Sequence, residues 1–388
     1  MSGRLIVHFL PGRSAHHAVP MIRSFHQHAR EMGLGDAEQL FVLHGVEPDR
    51  EDWFRGLGPS ADQVLLRPDG ALDPAILDRA GDDARFVFHS GFFRGMWHEL
   101  ERRPGVCKRA AVVFWGADIW SLLRPAYVPH DPLPRHPVRA YRWMQRRRRR
   151  QLMLRTERTV LRRLGAVCTM TPGEMEILER QFGPLGNDLP IVYHTVPRGA
   201  PLPAADERRP DDDLRVIVGN SAHSVSRHVE TLSWLARFRD EPLQVICPLA
   251  YPRASPYKDE VIRMGKRLFG SRFQAVATLR PLEEYDRLLE SADVFILSAR
   301  TQQGLYVIFS GLLRGKKIYL PAVSPVYRML TSLGARIFDV RELSAVSFPE
   351  LAALDEEDRV RNHEVAVRHF CLEAALGRWR ALFARLAA

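Results

Sequence analysis

The feature that most constrains the fold is a recurring unit in which a short apolar, β-branched run ends in a polar turn and is followed by a helical pattern. Strands that alternate with helices in this way pair in parallel, because each helix crosses over the sheet. Two consecutive sets of such units predict an α/β chain with two doubly wound domains, whose sites lie at the carboxyl ends of the strands and face a shared cleft. The predicted strands are Arg4–Leu10, Phe41–His44, Val64–Leu66, Arg85–His89, Ala111–Trp115, Ala166–Met170 and Pro190–Val196 in the first set, and Leu214–Val218, Leu243–Cys247, Phe273–Thr278, Asp293–Leu297, Lys317–Leu320 and Ile337–Val340 in the second.

A segment rich in proline and charge, residues 198–213, separates the two sets. We therefore expect an N-terminal domain over 1–200, a linker over 201–213, a C-terminal domain over 214–348 and a helical tail over 349–388. No apolar run approaches the roughly 18 residues that would span a bilayer. The four cysteines lie far apart without a CxxC pattern, which favours a reducing cytoplasm over a disulfide framework or a zinc site.

The second set contains the most specific local pattern, the turn Gly219-Asn220-Ser221 after its first strand. A strand, a tight polar turn and a helix N-terminus direct backbone N–H groups at one spot, which suits a phosphate. An ordinary strand-to-helix corner is the alternative. Polar residues at the other strand ends add amides and an arginine, so the set as a whole predicts a site for a diphosphate. Its members are Gly219, Asn220, Ser221, Tyr251, Arg300, Gln302, Gln303 and Gly304.

The strand ends of the first set carry a different group of side chains. Histidine and aspartate are the residue types that take a proton from a hydroxyl, so this group predicts a general base for an acceptor substrate. A structural hydrogen bond for each histidine, and a cap on the next segment for the aspartate, are the alternatives. The helix after Met170 should begin with a capping box made by Thr171 and Glu174. The predicted catalytic and acceptor-side residues are His16, His17, His89, Ser90, Trp115 and Asp118.

One region carries the whole basic excess of the chain. Residues 101–163 hold 17 Arg or Lys against 4 Asp or Glu, a net charge of +13 in a chain whose total is +10. Within it, a Pro-rich loop (Pro125–Pro137) precedes the segment Arg142–Arg163, where apolar residues such as Leu161 and Leu164 share one helical face. A basic helix with an apolar side predicts a surface that lies on anionic lipid. Docking of this helix on its own domain is the alternative, and nucleic acid is less favoured because no reader motif accompanies the charge.

These motifs together match a known family. The pair His16-His17 follows the first strand, His89 follows Phe88 with Phe92 and Trp97 at matching distances, and Trp115-Gly116-Ala117-Asp118 follows the fifth strand. In the second half come Val218-Gly219-Asn220-Ser221 with His228, then Pro248 with Tyr251-Pro252, then Gln302-Gln303-Gly304 with Gly315. The chain resembles the 4-acetamido-4,6-dideoxygalactose (Fuc4NAc) transferases of enterobacterial common antigen synthesis, often called 4-alpha-L-fucosyltransferases. That family is similar to the GT-B glycosyltransferases, which have two Rossmann-like domains.

The resemblance implies a dTDP-sugar donor bound mainly by the C-terminal domain and an undecaprenyl-diphosphate-linked glycan as acceptor. It also implies a peripheral enzyme at the cytoplasmic face of the bacterial inner membrane, which agrees with the basic segment Arg142–Arg163. This chain departs from the family pattern where Thr301 replaces an arginine directly before the glutamine pair, with Arg300 one residue earlier, and in the residues Ala222-His223-Ser224. These departures bear on the donor sugar and the acceptor more than on the reaction class.

The expected reaction needs no cofactor and no metal ion. Backbone N–H groups, Arg300 and His228 would stabilise the leaving diphosphate. His17, His89 or Asp118 would take the acceptor proton if the reaction inverts the anomeric centre, and would orient substrate if it retains it. A related GT-B transferase with another nucleotide sugar is the nearest alternative. A non-enzymatic basic protein that binds nucleotide or nucleic acid is the alternative of another class, whereas the absence of Walker A and GxGxxG patterns disfavours nucleotide triphosphatases and dehydrogenases.

Overall fold

Two compact units make up the chain in this computed structural model. The first unit is Met1–Tyr193 together with Leu376–Ala388, and the second is His194–Ala375. The structure describes residues 4–12, 15–35, 37–46, 54, 57, 63–127, 154–193, 195–197, 199–203, 213–251 and 255–388. Within these residues, no helix has the length and apolarity needed to cross a membrane.

The first unit is built on a seven-stranded parallel sheet with the order β3-β2-β1-β4-β5-β6-β7. The order reverses between β1 and β4, so the loops that follow these two strands diverge and leave room for a ligand. The central strands are buried on both faces, which explains their continuous apolar runs. The strands are β1 (Leu5–Pro11), β2 (Glu38–His44), β3 (Val64–Arg67), β4 (Arg85–Phe88), β5 (Ala110–Val113), β6 (Ala166–Thr169) and β7 (Asp188–Pro190).

The helices of the first unit differ from the sequence prediction in two places. The sequence pattern predicts a polar loop that holds His16 and His17 and a helix that begins near Val19, whereas the first helix of the structure contains both histidines in its first turn. Pro20 misleads the prediction, because proline usually occupies the first position of a helix. The pattern also predicts only the Pro-rich loop between Asp118 and the basic segment, whereas a further helix begins at Ala117. The helices are α1 (Ala15–Gln27), α2 (Pro74–Arg79), α3 (Met96–Arg102), α4 (Pro104–Lys108), α5 (Ala117–Tyr127), α6 (residues 154–163) and α7 (Pro172–Phe182).

The basic helix α6 is docked on its own unit. Val160, Leu161 and Leu164 are at most 4% exposed and belong to the hydrophobic core. The prediction that this apolar face lies on lipid is therefore wrong for residues 154–164, because the face is already covered by protein. The arginines of α6 point outward, and the guanidinium of Arg162 donates to the carbonyl of Phe182 at 2.8 Å. The run Arg146–Arg150 and most of the Pro-rich loop lie outside the described residues.

The second unit has a six-stranded parallel sheet with the order β10-β9-β8-β11-β12-β13, which reverses between β8 and β11. Both sheets thus confirm the prediction of doubly wound α/β architecture. Its strands are β8 (Leu214–Val218), β9 (Leu243–Pro248), β10 (Phe273–Val276), β11 (Val294–Ile296), β12 (Lys317–Leu320) and β13 (Phe338–Asp339). The helices from here to the C-terminus are α8 (His228–Leu235), α9 (Pro256–Phe269), α10 (Leu282–Glu290), α11 (Leu305–Leu313), α12 (Pro325–Ser332), α13 (Phe348–Ala352), α14 (Glu356–His369) and α15 (Leu372–Ala387).

The last residues of the chain pack in the first unit. The rings of Phe25 and Trp379 meet edge to face with their centroids 4.9 Å apart, and Phe383 is fully buried. Arg385 donates to the carbonyls of Gly165 and Gly186 at 3.0 Å each. Residues 376–388 therefore help to close the core behind β1 and β4.

Candidate active site

Loops from three strands of the second unit meet beside the point where its strand order reverses. The amide of Asn220, after β8, donates to the hydroxyl of Tyr251, after β9, at 3.3 Å. Ser226 donates to the side-chain oxygen of Gln303, after β11, at 3.4 Å. The structure therefore brings together the residues that the sequence predicted as a diphosphate site, and it does so at the position where doubly wound sheets bind ligands. Pro252 lies outside the described residues.

Gly219 is held in a conformation and a space that only glycine fits. Its φ is +71°, which side chains with a Cβ rarely adopt. A Cβ at this position would stand 2.3 Å from Nε2 of His228, whose ring lies against the backbone of the turn. His228 is itself fully buried, and its backbone N–H donates to the hydroxyl of Tyr257 at 2.8 Å. Burial lowers the pKa of His228 to about 4, so the imidazole beside the turn is neutral at neutral pH.

The second loop of the site leads into α11. Gly304 precedes this helix with a φ of +68°, and a Cβ there would stand 2.6 Å from Leu297 and 3.0 Å from the carboxamide of Asn220. The two glycine turns therefore pack directly on each other. Gln302 is 6% exposed, and its Oε1 makes no hydrogen bond with the described residues, whereas Arg300 is exposed. The helix N-terminus and the exposed guanidinium are donors that suit a phosphate, whereas the buried Gln302 Oε1 accepts and suits a hydroxyl or N–H group of the same ligand.

Three tyrosines follow the same edge of the sheet, and the sequence interpretation included only Tyr251. The rings of Tyr285 and Tyr306 stack with their centroids 6.3 Å apart and their planes 19° apart. The hydroxyl of Tyr306 donates to the carboxylate of Asp286. Burial raises the pKa of Tyr285, and the neighbouring Tyr251 and Tyr306 raise it further. Tyr285 and Tyr306 lie in the helices that follow β10 and β11, and this position is the sequence signal that could have identified them. Neither helix contains a distinctive motif.

In the first unit, Asp118 is enclosed by hydrogen-bond donors. One carboxylate oxygen accepts from the backbone N–H groups of Trp115 at 2.9 Å and Ile119 at 3.0 Å. The other accepts from the N–H of Gly91 at 2.9 Å and the hydroxyl of Ser90 at 3.2 Å. The side chain is 2% exposed, and burial raises its pKa while these hydrogen bonds oppose the rise. These four hydrogen bonds connect the loop after β4 to the start of α5. Because both carboxylate oxygens of Asp118 already accept hydrogen bonds inside the protein, this geometry argues against the predicted role of Asp118 as a base.

Glu174 is a second buried carboxyl group beside this loop, and it was expected only as part of a cap. The capping box with Thr171 is present as predicted. Oε2 accepts from the backbone N–H of Thr171 at 3.2 Å and from its hydroxyl at 3.0 Å, whereas Oε1 has no hydrogen-bond partner in the described part of the chain. Burial raises the pKa of Glu174 to about 8, and the negative charge of Asp118 contributes in the same direction. Glu174 is therefore protonated in the folded protein at neutral pH.

This protonation makes stability depend on pH in a defined direction. The folded protein binds the Glu174 proton more tightly than the unfolded chain, in which the pKa of this carboxyl group is about 4.5. The protonated carboxyl group therefore stabilises the fold fully below that unfolded pKa, and this stabilisation is lost as pH rises through about 8. Glu174→Gln keeps the capping oxygen and removes the titration. We expect the free energy of unfolding of the original protein to fall by roughly 2–3 kcal/mol more than that of Glu174→Gln between pH 6 and pH 8.

Urea unfolding at the two pH values measures this difference. Glu350→Gln is the matched control, because Glu350 completes an exposed capping box with Ser347 and its pKa is lowered, not raised. Parallel pH profiles for Glu174→Gln and the original protein would contradict the assignment of a buried proton to Glu174.

His89 is also withdrawn from solvent. It is fully buried after β4, its Nε2 lies 3.0 Å from Nδ1 of His8, and its Nδ1 lies 2.7 Å from the hydroxyl of Tyr193. Burial lowers the pKa of His89 well below its usual value, and the proximity of His8 adds to this. Both ring nitrogens are occupied inside the protein, so the geometry favours a positioning role over the predicted role as a base.

His17 and Trp115 form the more accessible part of the predicted acceptor side. His17 lies in the first turn of α1, and Trp115 follows β5; both are half-buried. Their rings meet edge to face with the centroids 5.6 Å apart. Phe92, in the loop after β4, is 55% exposed. The structure thus brings His17 to Trp115 at the carboxyl ends of β1 and β5, while the side chain of His16 lies outside what is described.

Several solved structures share this fold. The chain is similar to sucrose-phosphate synthase of Thermosynechococcus elongatus, with a TM-score of 0.65, 14% identity and 99% of each chain covered. It is similar to HepE of Anabaena in complex with UDP and glucose, with a TM-score of 0.64, 11% identity and 98% of each chain covered. It is also similar to an alpha,alpha-trehalose-phosphate synthase of Burkholderia vietnamiensis, with a TM-score of 0.59, 13% identity and 98% of each chain covered. The fold is that of the GT-B glycosyltransferases.

A family model narrows this class. Residues 141–314 match the model described as 4-alpha-L-fucosyltransferase, glycosyl transferase group 56. The match confirms the resemblance inferred from the motifs, and it spans the second-unit loops that carry Gly219 and Gln302. The protein is a nucleotide-sugar-dependent glycosyltransferase with resemblance to group 56. The predicted residues His16 to Asp118 lie outside the matched range.

Proposed function

We propose that the protein transfers a deoxy-amino sugar similar to Fuc4NAc from a dTDP-sugar to an undecaprenyl-diphosphate-linked glycan, in the synthesis of a bacterial surface polysaccharide. The observation that carries the proposal is the packing of the Gly219 and Gly304 turns on each other where the strand order reverses, with His228 against the first turn. Backbone N–H groups at such a point suit the diphosphate of a nucleotide sugar.

The chemistry of the second unit supports a donor role. As the bond to the sugar breaks, negative charge grows on the leaving diphosphate, and fixed N–H dipoles at the start of α11 stabilise it. Arg300 is exposed two residues before Gln302 and adds a full positive charge. The stacked rings of Tyr285 and Tyr306, beside Tyr251, offer an apolar face for the nucleobase.

The first unit supports an acceptor role. His17 is the one of the three predicted proton acceptors whose side chain is half-buried, whereas His89 and Asp118 are enclosed. His17 therefore takes the acceptor proton, with Trp115 beside it. A base role for His17 implies that the reaction inverts the anomeric centre, since a retaining transferase requires no such base.

Peripheral attachment to the cytoplasmic face of the inner membrane is part of the proposal. Because the apolar face of α6 is buried, attachment rests on charge and not on insertion of residues 154–164. Arg155, Arg158, Arg162 and Arg163 are exposed on α6, and they are four of the ten arginines of Arg142–Arg163. Exposed arginines attract anionic lipid, and this attraction weakens as salt increases.

Ligand-induced stabilisation tests the donor. A ligand at 100 times its dissociation constant adds about 2.7 kcal/mol to the free energy of unfolding. We expect dTDP to raise the unfolding temperature, UDP to raise it less, and a single-stranded oligonucleotide to leave it unchanged. Stabilisation by the oligonucleotide alone, lost at high salt, would instead support the nucleic-acid-binding alternative.

Product formation tests the acceptor. A panel of nucleotide sugars is combined with an undecaprenyl-diphosphate-linked glycan, presented in anionic vesicles, in neutral vesicles, or as the water-soluble glycan without its lipid. We expect mass spectrometry to detect a product from the dTDP-deoxy-amino sugar, formed fastest in anionic vesicles. A product from another nucleotide sugar would support the related GT-B alternative, and equal rates in all three presentations would contradict the membrane proposal.

A further inference from the structure

A chain of buried polar side chains runs through the first unit behind Trp115. His8 on β1, His89 after β4 and Tyr193 after β7 are joined by contacts of 3.0 Å between the two imidazoles and 2.7 Å between imidazole and hydroxyl. His8 and His89 have no exposed surface. Three separate strands therefore contribute to one hydrogen-bonded line, and the reaction chemistry proposed above uses none of its three members.

The two ends of the line set its direction. At the outer end, Nε1 of Trp115 is buried and lies close enough to the Tyr193 hydroxyl to oppose the rise in pKa that burial causes there. At the inner end, Gln39 lies beside His8, and its amide donates to the carbonyl of Phe25 at 3.4 Å. An indole N–H only donates and a backbone carbonyl only accepts. Hydrogen bonds that point inward, from Trp115 towards Phe25, give the Tyr193 hydroxyl and both imidazole N–H groups an acceptor within the line, whereas the opposite direction leaves the hydroxyl without one there.

An inward direction fixes the tautomer of both histidines. Tyr193 donates to Nδ1 of His89, Nε2–H of His89 donates to Nδ1 of His8, and Nε2–H of His8 faces Oε1 of Gln39. This assignment gives a neighbour to the three buried atoms that otherwise lack a partner within the described residues, namely Trp115 Nε1, His8 Nε2 and Gln39 Oε1. It also leaves both imidazoles neutral, so the line holds no mobile proton for the reaction.

The accessible end of the line identifies its role. Trp115 and Tyr193 are half-buried, whereas the inner members are enclosed. The ring of Trp115 meets the rings of His17 and Tyr193 edge to face, with centroid distances of 5.6 Å and 5.7 Å. Part of the indole surface is therefore exposed, and an aromatic surface of this kind packs well against the C–H face of a sugar ring.

We propose that Tyr193, His89 and His8 are positioning residues, which hold the Trp115 indole as a stacking face for a sugar ring of the glycosyl acceptor. The identity of the ligand rests on the proposed transferase function, and the positioning of Trp115 rests on the hydrogen-bonded line. Removing the Tyr193 hydroxyl frees the indole N–H and loosens the ring, so acceptor binding weakens while donor binding is untouched.

Tyr193→Phe tests the proposal with a change of one oxygen atom. Tyr319→Phe is the matched control, because it removes a buried tyrosine hydroxyl that donates to the carbonyl of Leu351 at 3.2 Å in the second unit. With the dTDP-deoxy-amino sugar and the undecaprenyl-diphosphate-linked glycan, we expect Tyr193→Phe to raise the acceptor KM at least tenfold and to leave the donor KM unchanged. Tyr319→Phe should change neither, and equal acceptor KM values for the two variants would overturn the proposal.

Nuclear magnetic resonance tests the line without any substrate. In the ¹⁵N-labelled protein we expect His8 and His89 to carry their protons on Nε2, and the Trp115 indole N–H to exchange slowly. Tyr193→Phe should speed that exchange while Tyr319→Phe does not. A proton on Nδ1 of either histidine, or unchanged exchange at Trp115, would overturn the positioning device. Failure of the proposed function would give a different result. The original protein would then transfer no sugar to the acceptor, whatever the exchange rate of the Trp115 indole N–H.

Discussion

We expect Gly219→Ala to abolish stabilisation by dTDP and to lower the free energy of unfolding by roughly 2–5 kcal/mol. Two effects add. A residue with a Cβ at a φ of +71° is strained, at about 1–2 kcal/mol. The new Cβ would also stand 2.3 Å from Nε2 of His228, and overpacking of this kind costs about 1–3 kcal/mol. His228 has no exposed surface, so relieving the collision displaces packed neighbours or the turn itself, which is the proposed site of the diphosphate.

A matched control separates strain from collision. Gly334 also has a positive φ, +93°, but a Cβ there would meet nothing within 4 Å. Gly334→Ala should therefore carry the conformational cost alone, about 1 kcal/mol, with full dTDP-induced stabilisation. Thermal unfolding of both variants with and without dTDP gives the comparison. Equal loss in the two variants would show that the close approach of His228 to Gly219 has no energetic consequence.

A double variant isolates the contact itself. Gly219→Ala combined with His228→Ala removes the ring that the new Cβ would strike, so the double variant should be more stable than the sum of the two single losses predicts. His228→Ala alone should weaken dTDP binding if the neutral imidazole contacts the diphosphate. Strict additivity would mean that the cost of Gly219→Ala is conformational only.

The sequence predicts the two sheets well because their information is local. The central strands are mostly apolar, as in Val216-Ile217-Val218, and the turns after β8 and before α11 each contain a glycine, Gly219 and Gly304, that a positive φ requires. Once the strands are known, the right-handed crossover rule restricts their order, and the strand ends that carry polar residues must share one edge. This is why the sequence alone is enough to group Asn220, Tyr251 and Gln303.

The remaining features depend on contacts between residues far apart in the sequence. A basic amphipathic pattern such as that of α6 is the same whether Leu161 packs on lipid or in the core cluster that includes Leu178, so the pattern could not decide between them. Tyr193 gives no signal either, because its partner His89 lies 104 positions away. Enclosure of Asp118 by four donors from two loops is likewise a property of the folded chain, not of the motif Trp115-Gly116-Ala117-Asp118.

The second large effect is expected at His17. If His17 takes the proton of the acceptor hydroxyl, His17→Gln keeps a polar side chain of similar reach but cannot accept a proton near neutral pH. A positioned general base contributes about 10²–10⁴ in rate, so kcat should fall by about 100-fold or more. Stabilisation by dTDP should not change, because the residues proposed to bind the donor are in the second unit. Turnover of the dTDP-deoxy-amino sugar with the lipid-linked glycan measures the first quantity, and thermal unfolding measures the second.

Two further variants show what a loss at His17 would mean. His98→Gln changes an exposed histidine on α3 and should leave kcat intact. Asp118→Asn places a donor where four donors already converge, so it should lower the free energy of unfolding, and any loss of turnover should follow the loss of folded protein. If His17→Gln keeps kcat within a factor of about three and the product retains the donor configuration, the base assignment is wrong. The half-buried imidazole beside Trp115 would then serve to orient the acceptor, and catalysis would rest on stabilisation of the leaving diphosphate by the second unit.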